Sequence, residues 1–246
     1  MLSTKELMAA AVNERVQQHL LQFDSLLTML QYKTPYRITS RYFGRMKNVL
    51  DWGCGNGHFS YYLTKNGIPS TGYSFDDFPA ALKSSRLFTH CPASGKDPVR
   101  LPFNDESFDT VFSVGVLEHV YETGGNEVDS LREIDRILRP QGLFFCFHFP
   151  NKYQWIEPAG KLLGKLEHYH NRKYSIHQIK SFLALTNFDL LEWGRYNFLP
   201  RNQLRRLPSP LKENPVFLSA FQGLDSLLTT LLPQLCTNFY FVAVKK

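Results

Sequence analysis

Apolar positions along this chain change their period twice, and the changes mark out its parts. Over residues 3–31, Val12, Val16, Phe23, Leu27 and Leu30 recur at helical spacing behind a Ser3/Glu6 capping pair, which predicts a single helix. A second short helix is expected within 34–45. From residue 48 the pattern becomes short apolar runs that alternate with amphipathic stretches. Predicted strands fall at 48–52, 70–75, near Val99, at 108–114 and at 143–149. Predicted helices fall at 58–65, 79–88 and 127–138, the last ended by Pro140 and Gly142. Beyond them, 175–186 and 216–232 read as helices, and 189–196 and 238–244 as strands. Strand–helix alternation over about a hundred residues predicts an α/β, doubly wound, mostly parallel sheet. The chain then divides into an N-terminal helical cap (1–45), a binding core (46–150) and a helical and loop cap with the last strands (151–246).

The first predicted strand runs into Val49-Leu50-Asp51-Trp52-Gly53-Cys54-Gly55-Asn56-Gly57, with glycine at every second position before a helix begins. Glycines there let the main chain turn sharply and let a ligand lie against it with no Cβ in the way. The spacing differs from the GxGxxG dinucleotide fingerprint, whose third glycine comes one residue later. A purely structural turn is the alternative.

Three further blocks follow in order: Asp97-Pro98-Val99-Arg100-Leu101-Pro102-Phe103 with Asp105, Ser107, Phe108 and Asp109; Val116-Leu117-Glu118-His119-Val120; and Leu131 to Gly142. With the glycine turn, they make residues 49–147 resemble the class I, Rossmann-like S-adenosylmethionine-dependent methyltransferases, especially the group that includes ubiquinone- and menaquinone-pathway enzymes. The resemblance implies S-adenosyl-L-methionine as cofactor. It implies that Asp51, Gly53, Gly55 and Gly57, with the backbone of Cys54 and Asn56, cradle the methionine part. Asp97 would accept from the adenine amino group, Pro98 or Val99 would pack on the ring, and Val114 and Gly115 would floor the pocket. The family's G-x-D at the end of the second strand is here Gly72-Tyr73-Ser74, followed by Phe75. Ser74 offers only a short uncharged contact to the ribose, and Asp76 or Asp77 is the substitute.

Methyl transfer from a sulfonium needs alignment, exclusion of water and, for many acceptors, a base. His119, in the block after the fourth strand, is the first candidate base, and His148, near the end of the fifth, the second. Each has an ordinary alternative, a helix cap for His119 and a satisfied interior imidazole for His148. His168 and His170 lie in the segment expected to cap the acceptor, and Glu118 reads as ordering the strand end. The four cysteines are scattered without metal-ligand spacing, so no metal is expected and a reducing, cytoplasmic setting fits.

Composition narrows the acceptor. A 43% hydrophobic, 20% charged chain of 246 residues is expected to fold, and no apolar run approaches the ~18 residues of a membrane span. Residues 1–150 hold 15 Lys and Arg against 16 Asp and Glu, and residues 151–246 hold 13 against 6. The excess peaks at Arg195, Arg201, Arg205, Arg206 and Lys212, which suggests either an anionic partner or a solvated basic face. Tyr153, Trp155, Tyr169, Tyr174, Trp193, Tyr196 and Phe198 accompany these cations, as pocket walls or as core. In 216–232, Phe217, Phe221, Leu224, Leu228 and Leu231 share one face, expected to dock against the pocket or another subunit. The fourth strand ends Ser113-Val114-Gly115-Val116, which lacks the clamp used on flipped bases and makes nucleobase methylation unlikely. The expected activity is metal-independent O-methylation of a small molecule, such as a natural product, a glycan or a lipid-linked intermediate. A cofactor-binding sensor without turnover, a nucleic-acid methyltransferase and peripheral membrane contact are the alternatives.

Overall fold

The computed structural model describes residues 1–95, 97–162, 164, 170–201, 204 and 207–246. His168, Tyr169, Arg205 and Arg206 therefore lie outside the described residues. Seven strands form one sheet: β1 (Val49–Trp52), β2 (Ser70–Ser74), β3 (Phe88–Pro92), β4 (Phe108–Val114), β5 (Leu138–Pro150), β6 (Phe188–Tyr196) and β7 (Asn238–Lys245). Their order is β3-β2-β1-β4-β5-β7-β6. The first five run parallel, and β7 is antiparallel to both β5 and β6. The chain reverses direction across the sheet between β1 and β4, the place where ligands bind in open α/β folds.

The helices are α1 (Thr4–Asn13), α2 (Leu26–Met29), α3 (Lys33–Ser40), α4 (His58–Lys65), α5 (Glu127–Ile137), α6 (Ile156–Leu162), α7 (Ile176–Ala184), α8 (Ser209–Lys212) and α9 (Pro215–Leu231). Every residue of β1 is buried, because helices cover both faces of the sheet. Phe112 of β4 stacks on Phe145 of β5 with ring centres 4.7 Å apart, and the N-terminal segment is pinned beneath by Tyr36 stacking on Tyr62 of α4 at 3.9 Å. None of the described helices is long and apolar enough to cross a membrane.

Four expectations are corrected. Residues 3–31 are not one helix. The Ser3/Glu6 capping box is present, but α1 stops at Asn13 and Arg15 takes a φ of 57°. The chain then wraps over α4 in short turns that bury Leu20 and Phe23, and Ser25 caps α2. In 79–88 only Ala80–Leu82 makes a helical turn, since the chain must straighten to enter β3 at Phe88. The third strand is β3 and not a run near Val99. β3 is a half-exposed edge strand, so its sequence lacks the apolar run that marks the central strands. The fourth concerns the polar face of α9; on its apolar face Phe217 and Phe221 pack on the cluster of Leu27, Leu30 and Leu218, while Leu224 is 50% and Leu231 64% accessible in the single chain. The buried residues of α9 are Leu218 and Asp225, the latter expected on the polar face.

Asp225 is buried because Arg201 is buried beside it. Arg201 Nη2 lies 2.8 Å from Asp225 Oδ2, and Asp225 Oδ1 accepts from the Leu199 N–H at 2.7 Å. Lys212 pairs with Asp24 at 3.3 Å, and Arg195 lies over the rings of Trp193 and Phe239. Much of the basic stretch is thus internal. The aromatics divide likewise: Tyr174, Tyr196 and Phe198 are core, and Tyr153 is exposed.

Candidate active site

The turn after β1 owes its shape to two glycines. Gly53 has φ 73°, and a Cβ there would come within 2.4 Å of Val116 Cγ2. Gly55 has φ 50°, but a Cβ there would meet only Asp76 Oδ2, at 3.5 Å. Gly53 is required by packing, whereas Gly55 leaves open space in front of the main chain. That space is a cleft of about 560 Å³, within the roughly 300–1,000 Å³ of small-molecule sites. Gly53, Cys54, Gly55, Asn56 and Val114 form its sheet side. His19, Leu21, Gln22 and Tyr32 of the N-terminal segment face them, and Gln22 Oε1 accepts from Asn56 Nδ2 at 2.8 Å. Asp76, Asp77, Phe78, Pro79 and Ala80 form one wall, with His58 at the start of α4.

The other expected cofactor residues lie around this cleft, outside its lining. Asp51 is buried beneath the turn and accepts from Ser60 Oγ at 2.6 Å. Burial pushes its carboxyl up to about 6 against that hydrogen bond. Ser74 is buried 3.3 Å from His90 Nε2 and does not line the cleft, while Asp76 and Asp77, the proposed substitutes, do. Phe75 is exposed beside Gly95. Asp97 Oδ1 accepts from the N–H groups of Val99 and Arg100, both at 2.8 Å, which lowers its pKa and shapes the Pro98–Val99 turn. Gly57 packs on Pro79 and Leu82, and Gly115 adjoins Glu118.

The candidate bases part company. His119 is half-exposed on the 3₁₀ turn Leu117–Thr123, its Nδ1 2.9 Å from Glu122 Oε1, and it does not line the cleft. His148 is half-buried at the end of β5, where the ladder to β7 shifts register and its φ is 59°, and it too lies outside the cleft lining. Its N–H donates to the Tyr196 hydroxyl at 2.7 Å and its Nδ1 lies 3.3 Å from Asn238 Nδ2. Its Nε2 is buried with no partner among the described residues. Nothing in their local patterns singles out Tyr32 or His58. Yet the Tyr32 ring lies 4.5 Å from that of His58 and 4.8 Å from that of His148. His58 Nε2 is also buried and unpartnered. Burial first, then neighbouring charge, pulls both imidazoles down to about 3, so both are neutral at physiological pH.

Linear spacing showed no metal cluster, but the fold gathers one candidate set. Glu118, His119 and His170 each offer a ligand atom within 4.8 Å of the others. Glu118 Oε2 is buried without a partner, and burial pushes its carboxyl up to about 8.

A family model for a methyltransferase domain matches residues 50–146. The probable phthiotriol/phenolphthiotriol dimycocerosates methyltransferase 2 of Mycobacterium ulcerans is 38% identical over 103 residues, 40% of this chain and 38% of that protein. The probable tRNA methyltransferase 9B of Homo sapiens is 31% identical over 99 residues, 40% of this chain and 20% of that one. The match thus spans well under half the length of either relative. A SAM-dependent methyltransferase from Archaeoglobus fulgidus superimposes with a TM-score of 0.58 at 17% identity, covering 89% of this chain and 94% of its own. Residues 50–146 thus match a methyltransferase domain, and the strand order and glycine-floored cleft around them are those of an α/β, Rossmann-like fold shared with S-adenosylmethionine-dependent methyltransferases.

Proposed function

We propose that this protein methylates an oxygen of a small molecule. The observation that carries the reading is the small-molecule-sized cleft over the glycine turn, about 560 Å³. The glycine turn and the N-terminal segment line one volume, His58 and Tyr32 stand in its wall, and the neutral His148 packs on Tyr32 from outside the lining, each imidazole with an Nε2 unpartnered among the described residues. When bound, S-adenosylmethionine supplies an electrophilic methyl group. The chain's own residues do the rest. Gly53–Asn56 present main chain in place of side chains, and Asp76 and Asp77 offer carboxylates to a ligand's hydroxyls. Tyr32 and the segment before it exclude water. His148 Nε2, without a donor among the described residues, is suited to accept from an acceptor hydroxyl and to take its proton as the C–O bond forms and the methyl–sulfur bond breaks, the electron pair staying on the thioether sulfur of S-adenosylhomocysteine.

The buried Arg201–Asp225 pair and the Lys212–Asp24 pair leave less free positive charge than the sequence promised, which favours a small molecule over a nucleic acid. Transfer of a labelled methyl group to hydroxyl-bearing small molecules, including lipid-linked ones, tests the proposal. For an accepted substrate, His148→Ala is expected to lower kcat about 10²–10⁴-fold with cofactor affinity little changed. Unchanged kcat would remove His148 from the chemistry. Methyl label entering RNA, with strongly salt-dependent binding, would overturn the small-molecule reading.

A further inference from the structure

We propose that Glu118, His119 and His170 form a binding site for a first-row divalent transition ion, of which zinc is the best fit. Two imidazoles and one carboxylate are the donor set of three-ligand zinc sites that keep a position open. Each contributes a ligand atom within 4.8 Å of the others. About a metal with bonds near 2.0–2.1 Å, tetrahedral ligand atoms stand roughly 3.4 Å apart. The contraction required is small, and the two histidines are 47% and 34% exposed at their side chains, so an ion can reach them from solvent.

Two independent features point to an ion. Glu118 Oε2 is a polar atom in a side chain 3% exposed, and no described residue satisfies it. Both imidazoles are also held at one ring nitrogen, Nδ1, by a carboxylate. His119 Nδ1 bonds Glu122 Oε1 at 2.9 Å, and His170 Nδ1 bonds Glu157 Oε1 at 2.5 Å. A carboxylate on one ring nitrogen fixes the tautomer and leaves the other nitrogen's lone pair bare, as outer-shell partners of metal-bound histidines do. Glu157 is itself fixed by Lys173 at 2.7 Å. The nearest guanidinium, Arg172, is engaged by the Tyr121 ring and by Glu127. Magnesium and calcium, which take all-oxygen shells, fit this set poorly.

The set is invisible to linear spacing because His170 arrives from the cap, 51 residues after His119. Glu118 lies beside Gly115, one residue past Val114 of the cleft. A coordinated ion there would hold an oxygen ligand near the floor of the cleft through its open position.

The test is titration of the metal-free full-length protein with Zn²⁺, with Co²⁺ as a visible-absorption probe, in the absence of cofactor and acceptor. Its outcome is therefore independent of the methyl-transfer reading. We expect one ion per chain and a d–d spectrum of a tetrahedral or five-coordinate centre. Affinity should fall at least 100-fold in Glu118→Gln and in His170→Ala, and about 10–100-fold in Glu157→Gln. His170 is partly exposed, so its variant decides the matter even if Glu118→Gln folds poorly. Absence of stoichiometric binding, or equal binding by wild type and His170→Ala, would overturn the proposal.

Discussion

Single residues carry the chemistry of this site through what they lack. Gly55 lacks a Cβ where a ligand must approach, and the imidazoles of His58 and His148 lack a partner at Nε2. Both histidines pack against Tyr32, and burial opposes a proton on either. This has a pH signature. In the unfolded chain His58 titrates at 6.5, and in the fold at about 3. Between those values the unfolded chain binds the extra proton, so the stability tied to His58 is intact above about 6.5 and is lost as pH falls toward 3. Urea midpoints measured from pH 7 to pH 4 should fall less steeply in His58→Gln than in wild type. Asp51, raised to about 6, acts in the opposite sense but is common to both proteins and cancels in the difference. Parallel curves would mean that His58 is not held neutral by burial.

Elements were legible where their apolar pattern was strong and opaque where tertiary contacts override it. The central strands and α5 fall within a few residues of expectation, because strands buried on both faces read as continuous apolar runs. Edge strand β3 has no such run, and a side-chain turn at Asp97 occupies the place where a strand was expected. The glycine floor of the cleft was readable, since main-chain shape depends on local residue type. Its roof was not, because Gln22 and Tyr32 reach it through the folded path of the N-terminal segment. Helix α9 shows the same limit: its period gave the helix, but not the burial of Asp225. The prediction at this scale is a contrast within one helix. Asp225→Ala leaves Arg201 buried without its partner and should cost about 3–5 kcal/mol. Leu231→Ser, at an exposed position, should change stability by less than about 0.5 kcal/mol. Chemical denaturation measures both, and a reversal would show that the leucine face is covered in solution.

The molecule as a whole places its chemistry at the carboxyl ends of β1, β4 and β5, where the sheet's order reverses and the two flanking segments meet. Residues 1–45 close the cleft from one side, and the last strands and α9 hold Arg201 and Asn238 near His148. The family match covers residues 50–146, so these flanking parts, outside that match, are what would set the acceptor apart. All of this depends on the cleft over Gly53–Asn56 being the cofactor site. Calorimetric titration with S-adenosylhomocysteine tests it most directly, comparing wild type with Gly55→Ala. A Cβ at Gly55 has room within the protein and costs about 1–2 kcal/mol at a left-handed φ, so the variant should fold. The account predicts one site per chain, with affinity at least tenfold weaker in the variant. No binding to wild type, or equal binding by the two proteins, would contradict it.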